Sequence, residues 1–259
     1  MSPEPVSYER RGAAAVVTID RPQRRNAVDG PTAEALLAAL ERFEADDDAR
    51  VMVLTGAGGI AFCAGADLKA IDTYAGRLDD PNGPMGFTRR TPSKPAIAAV
   101  DGFALAGGLE LALWCDLRIA TAQSSFGCPE RRWGVPLIDG GTQRLPRIVG
   151  LGRALDLILS GRIVDAAEAL SMGLVTEVVP DGPDAALTRA LEWAEALASF
   201  PQATMLADRR AAIEGFGLPL AEGLALEAQA GPETYAAAQS GAARFAGGEG
   251  RSGAGAGIS

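Results

Sequence analysis

Residues 95–115 read PAIAAVDGFALAGGLELALWC. The run AIAAV (96–100) has the length and composition of a strand buried on both faces, Asp101-Gly102 punctuates it, and a helical pattern begins near Gly107 or Gly108. Asp101 and Glu110 interrupt an otherwise apolar stretch. A carboxylate at a bilayer centre costs about 2.5–3.5 kcal/mol, so the segment reads as protein core rather than a membrane span. Outward from it, residues 13–19, 50–54, 117–121 and 175–179 are further strand candidates. Helical patterns separate them at about 108–115, 151–159 and 165–171. Another helix is read over 29–43, with Leu36, Leu37, Leu40 and Phe43 on one face, Asp29 as its cap and Pro31 in its first turn. Strands alternating with helices predict an α/β architecture with crossover connections.

After Pro180 the pattern changes. Residues 184–214 and 218–239 are rich in Ala, Leu and Glu at helical spacing, without any β signal, and residues 246–259 are a Gly/Ala tail expected to fray. The chain therefore reads as an α/β core over 1–183, a helical region over 184–245 and a flexible tail over 246–259.

The 259 residues carry 33 acidic and 24 basic side chains, a formal charge of −9, which disfavours nucleic acid or an anionic membrane as partner. There is no histidine. That excludes Ser-His-Asp and Cys-His catalysis and every metal site that needs imidazole. Cys63, Cys115 and Cys128 form no CxxC and read as buried structural thiols of a cytoplasmic protein. The start, MSPEPVSYERR, lacks the apolar region of a signal peptide.

Gly56-Ala-Gly-Gly-Ile-Ala61 matches a dinucleotide turn, yet the YAGRLDDPNG region that follows offers no second strand ending in an acid. None of Tyr8, Tyr74 or Tyr235 has a lysine four residues later, and there is no Walker motif. A different chemistry is better supported. Small residues before a helix start near Gly107 leave backbone N–H groups free to act as oxyanion donors. Glu110 falls in that first turn among Leu109, Leu111 and Ala112, where a lone carboxylate is costly without a purpose. In FCAGADLK (62–69), Ala66 offers a second N–H before another helical turn. Glu130, in FGCPE (126–130), reads from spacing alone as a solvated loop acid pairing with Arg131 or Arg132.

FCAGADLK, AVDGFALAGGLELALWCDLRIA, FGCPE and GGTQRLPRIVG, in this order and spacing, resemble the crotonase (enoyl-CoA hydratase/isomerase) superfamily. The likeness runs from IDRPQRRNAV (19–28) to LSGRIVDAAEALSMGLVTEVV (159–179). It implies a spiral of ββα units with a helical C-terminal trimerisation region, a homotrimer or homohexamer, and an acyl-CoA thioester as ligand. Coenzyme A would be carried by the substrate, with no separate cofactor and no metal. By position it places the oxyanion hole on Ala66 and Gly107 and the catalytic acids on Glu110 and Glu130. The CoA-binding positions become Ala64, Asp67, Leu68 and Lys69, with Arg24 and Arg25 at the nucleotide end.

The implied activity is hydration of a 2-trans-enoyl-CoA, Glu110 activating water and Glu130 exchanging the proton at Cα, with the two acids held at different pKa values. The alternatives are an enoyl-CoA or dienoyl-CoA isomerase and a non-catalytic acyl-CoA-binding homologue. Three features depart from familiar hydratases. Arg131, Arg132 and Trp133 follow Glu130, and a guanidinium close to it would favour its ionised form. PLIDGGT (136–142) puts Ile138 and Asp139 where small residues are usual, making Asp139 either a third pocket carboxylate or a loop-capping acid. Asp101 stands where many relatives carry asparagine. Residues 70–91, without a stable pattern, are expected to set pocket depth.

Overall fold

The apolar runs become the middle of a six-stranded sheet. In the computed structural model, which describes residues 4–250, β1 (Val6–Arg11) and β2 (Ala14–Ile19) form an antiparallel hairpin that turns at Gly12, φ +60°. α1 (Gly30–Ala45) follows, and Asp29 caps it by accepting a 3.0 Å hydrogen bond from the Thr32 N–H, a contact typically contributing about 1 kcal/mol. Leu36, Leu40 and Phe43 are buried and Leu37 is partly buried against the core. β3 (Val51–Gly56), β5 (Ala96–Val100), β7 (Leu117–Thr121) and β10 (Glu177–Val179) extend the sheet in the order β1-β2-β3-β5-β7-β10, parallel from β2 onward. Both faces of β5 are buried, as its unbroken apolar run requires.

A second sheet is made of the three-residue strands β4 (Ala61–Cys63), β6 (Phe103–Leu105), β8 (Ser125–Gly127) and β9 (Ile163–Asp165), in that order. None was read from the sequence, because three residues are too few to display a period of two. Each turn of chain thus lays one strand in the large sheet and then one in the small sheet: β3 then β4, β5 then β6, β7 then β8. The latter two turns continue into helices, α2 (Gly107–Trp114) and α3 (Gly141–Val149). This is the ββα spiral that the resemblance implied. α4 (Leu151–Ser160) and α5 (Ala166–Ser171) match the predicted helices closely, whereas α3 was unread because Pro146 lies inside it.

Residues 184–214 form two helices, α6 (Ala185–Ser199) and α7 (Gln202–Gly215), interrupted at Pro201. The 218–239 pattern is α8 (Leu220–Ala228) and α9 (Ala230–Ala246). Of the predicted tail, Ala246 ends α9, and 251–259 lie outside the described residues. The chain divides into two compact units, through Ala194 and from Glu195. In the first, Glu177 of β10 accepts from Arg189 Nε and Trp193 Nε1, both at 2.8 Å, tying in the start of α6. In the second, α7 buries only Ala207, and α8 and α9 bury no residue. No helix among the described residues is long and apolar enough to cross a membrane. The three cysteines are free and buried, and burial pushes the Cys63 and Cys128 thiols up to about 12.

Candidate active site

A cavity of about 620 Å³ opens at the N-terminus of α2. Ala106, between β6 and α2, adopts φ +53° and ψ −125°, a strained backbone for a residue with a Cβ. Its N–H donates to Gly127 O at 2.9 Å, and Gly107, the first residue of α2, lines the cavity. The helix sits very close to β4: a Cβ on Gly108 would lie 1.9 Å from Cys63 O. Gly65, φ +96°, allows a second close approach, since a Cβ there would lie 2.9 Å from Ala106 Cβ and 3.1 Å from Gly107 N. Gly65 O accepts from Val28 N at 2.8 Å and Asp67 N donates to Val28 O at 2.7 Å. That bridge leaves the Ala66 N–H turned to the other side of its strand, and Ala66 also lines the cavity. No protein acceptor takes the N–H of Ala66 or Gly107 among the described residues. Two unpaired donors therefore share one cavity, one of them at the positive end of a helix.

Glu110 lies one turn into α2, only 3% exposed. Its Oε1 accepts from Asp139 N at 2.9 Å and Gly141 N at 2.8 Å, while Oε2 has no protein partner. A Cβ on Gly141 would lie 2.9 Å from Oε1, so glycine there makes the contact. Burial, reinforced by the charge of Asp139, pushes the Glu110 carboxyl up to about 8 against the opposing pull of the two amides, and Glu130 adds a smaller push.

Glu130 stands in the 3₁₀ turn Pro129–Trp133 and is 6% exposed, with neither carboxyl oxygen hydrogen bonded to another protein group. The solvated, arginine-paired acid expected from spacing is thereby corrected. Arg131 Nε donates instead to Ile158 O at 3.2 Å, and Arg132 is exposed. Burial raises the Glu130 pKa, outweighing the opposing influence of its own backbone N–H and of Arg131, because a carboxylate withdrawn from water is poorly solvated. Glu110 and Glu130 line the same cavity, and both are shifted toward the protonated form.

Asp139 lines the cavity, and its Oδ1 secures a loop by accepting from Met85 N at 3.0 Å and from the Thr88 hydroxyl. Ala64 and Leu68 line the cavity too. Asp67 does not. Its carboxylate is buried against Arg21, 3.0 Å away, and accepts from Lys69 N at 3.1 Å. Lys69, Arg24 and Arg25 are exposed and outside the cavity lining. Arg25 is nevertheless adjacent to it, its carbonyl accepting from Ala64 N at 3.1 Å.

Of the apolar wall, Ile71, Tyr74, Leu78, Met85 and Val135 were not singled out in the sequence, although residues 70–91 were expected to set the pocket depth. The first four fall within residues 70–91, where a short 3₁₀ segment and turns give no periodic signal. Tyr74 is held by donating its hydroxyl to Val28 O at 2.6 Å. Trp133 is 73% exposed and lines the cavity as well. Among the described residues no group of three Cys, Asp or Glu side chains is placed to hold a metal ion.

The family described as enoyl-CoA hydratase/isomerase matches residues 9–249. A probable enoyl-CoA hydratase of Rhizobium meliloti is 44% identical over 230 residues, covering 88% of each chain. A short-chain-enoyl-CoA hydratase of Clostridium acetobutylicum is 38% identical over 234 residues, covering 89% of each. The crystal structure of enoyl-CoA hydratase EchA1 from Mycobacterium marinum superposes with a TM-score of 0.88 at 38% identity, covering 94% of this chain and 96% of that one.

Proposed function

We propose that this chain, which belongs to the enoyl-CoA hydratase/isomerase family, adds water across the 2-trans double bond of an enoyl-CoA thioester. The observation that carries the reading is the pairing of two unbonded backbone donors, at Ala66 and Gly107, with two buried carboxyls, Glu110 and Glu130, around one cavity.

In this reading the thioester oxygen sits between the Ala66 and Gly107 N–H groups. Charge accumulates on that oxygen as Cβ is attacked, and fixed donors stabilise it without reorganising. Loss of one such donor typically costs about 2.7–4 kcal/mol of transition-state stabilisation. Water is held by the free Oε2 of Glu110 and by Glu130. The ionised Glu110 takes a proton from water as the oxygen bonds to Cβ, and Glu130 gives its proton to Cα. The proton then returns from Glu110 to Glu130 before the next turnover. Positioned acid and base groups of this kind contribute roughly 10²–10⁴-fold. All the protons are handled by carboxyls, so the reaction as written needs no cofactor beyond the coenzyme A of the substrate, and no metal.

The segment containing Ala64, Ala66 and Leu68 would run beside the pantetheine arm. The exposed Lys69, Arg24 and Arg25 would meet the nucleotide phosphates. The second unit would serve a homotrimer or homohexamer, a reading supported by Phe216, just beyond α7, and by Leu220, Leu224 and Phe245 on α8 and α9, each more than half exposed beside helices that bury almost nothing. We place the protein in the cytoplasm, where its three free thiols would stay reduced.

The test is loss of the conjugated-enoyl absorbance on mixing the protein with crotonyl-CoA and with a longer 2-enoyl-CoA. Rapid loss, abolished in Glu110→Gln and Glu130→Gln, supports hydration. Double-bond migration without water uptake would identify an isomerase, and CoA-ester binding without turnover a non-catalytic homologue. The engagement of Asp139 Oδ1 by Met85 and Thr88 argues against Asp139 as a second proton shuttle.

A further inference from the structure

Asp139 is joined to more of the cavity wall than a loop cap requires. Its carboxylate holds the Met85 N–H and the Thr88 hydroxyl, its carbonyl accepts from Arg144 Nη1 at 3.0 Å, and its own N–H donates to Glu110 Oε1. Arg144 Nη2 closes the ring on Thr88 O at 2.6 Å. Gly83, φ +101°, makes room for this: a Cβ there would lie 2.2 Å from Thr88 Oγ1 and 3.2 Å from Asp139 Oδ1. Met85, fixed by this tie, packs against Gly107, its Cε 3.0 Å from where a Cβ on that residue would be.

We infer that Asp139 is a positioning residue for Glu110, tying the Met85–Thr88 loop to the loop that bonds the glutamate and setting a second carboxylate against it. The inference rests on the hydratase reading for what the Glu110 proton does, but not for its position. Two carboxyls joined through one backbone amide resist ionising together. Burial raises the Asp139 carboxyl too, but the Thr88 and Met85 hydrogen bonds and the guanidinium groups of Arg89 and Arg144 oppose that rise, so of the two carboxyls Glu110 is the one that keeps its proton to higher pH. The groups facing Glu110 are Asp139, Glu130, Cys128 and Arg144, and Tyr74 also faces Asp139. Of these, Asp139 opposes ionisation of Glu110 most strongly. A base poised close to neutral pH results, at the cost of activity in acid.

The experiment is a carboxyl ¹³C titration of the ligand-free protein labelled at glutamate, with Glu110→Gln identifying the Glu110 signal. It is run on wild type, Asp139→Asn and Asp139→Ser alongside kcat/KM profiles on crotonyl-CoA. Asparagine keeps an acceptor for Met85 and Thr88 and removes only the charge. The expected result is a Glu110 midpoint lowered by about one pH unit or more, with the acid limb of kcat/KM displaced by the same amount. Serine guards against a failure of the asparagine variant to fold. An unmoved midpoint in a folded variant overturns the inference. Absence of any hydration by wild type would sink the proposed function instead, and the titration would still decide the role of Asp139.

Discussion

Replacing Glu110 by Gln should make the stability of the fold less sensitive to alkaline pH. The carboxyl is 3% exposed and its pKa is raised from 4.5 to about 8, chiefly by burial. A shift of that size corresponds to about 5 kcal/mol at about 1.4 kcal/mol per pH unit, an order-of-magnitude figure. Between these two values the unfolded chain has released the proton that the folded chain still binds. The unfolded state therefore binds fewer protons, and stability falls as pH rises through this window. Below pH 4.5 both states are protonated and the contribution vanishes. Above 8 it is fully present as a destabilisation.

Glutamine can keep Oε1 as the acceptor for Asp139 N and Gly141 N but cannot ionise. Relative to wild type, Glu110→Gln should thus be near neutral at pH 4.5 and gain several kcal/mol by pH 9. The assay is chemical denaturation at fixed protein concentration, followed by fluorescence of Trp114, Trp133 and Trp193, all within the first compact unit. Parallel stability curves for the two proteins between pH 5 and 9 would refute the assignment of a buried, proton-holding glutamate.

Glu130→Gln should lower kcat by roughly 10²–10⁴-fold while calorimetric affinity for an acyl-CoA stays close to wild type, since its oxygens bond no other protein group. Unchanged turnover would remove Glu130 from the chemistry. Gly108→Ala must displace α2 from β4, given the 1.9 Å approach to Cys63 O. It should cost about 1–3 kcal/mol of stability and most of the activity, because the Gly107 donor moves with the helix; a fully active, normally stable variant would contradict the close packing. The double variant Arg24→Ala/Arg25→Ala should raise KM for crotonyl-CoA with little change in kcat, the effect shrinking as salt is added. A loss confined to kcat would place the nucleotide elsewhere.

Periodicity was sufficient for long elements and silent for short ones. AIAAV and LRIAT are buried strands of the large sheet with the bounds their sequence indicates, and Asp29 caps the helix it was expected to cap. The small sheet went unread because each strand spans three residues and draws its partners from distant parts of the chain, as Phe103 does from Ala61 and Ser125. The same limit explains the cavity wall, since Ile71 lies on a short 3₁₀ segment and Leu78 and Met85 on turns, whose packing has no local signature.

For the site, local chemistry singled out Ala66, Gly107 and Glu110, because glycines before a helix and an acid in an apolar turn are costly arrangements, whereas Glu130 entered only through the family resemblance. Whether Glu130 faces water or an apolar wall was undecidable from PERRW, where an acid beside two arginines reads as a surface pair. The tertiary fold buries its carboxyl and sends Arg131 to Ile158 O. The link from Glu110 to Asp139 and Gly141 was equally hidden, for a backbone N–H carries no side-chain identity. Sequence alone determined which groups are available for the chemistry; the tertiary structure decided which way the pKa of each carboxyl is displaced, because burial and the field of distant neighbours depend on how the chain folds back on itself.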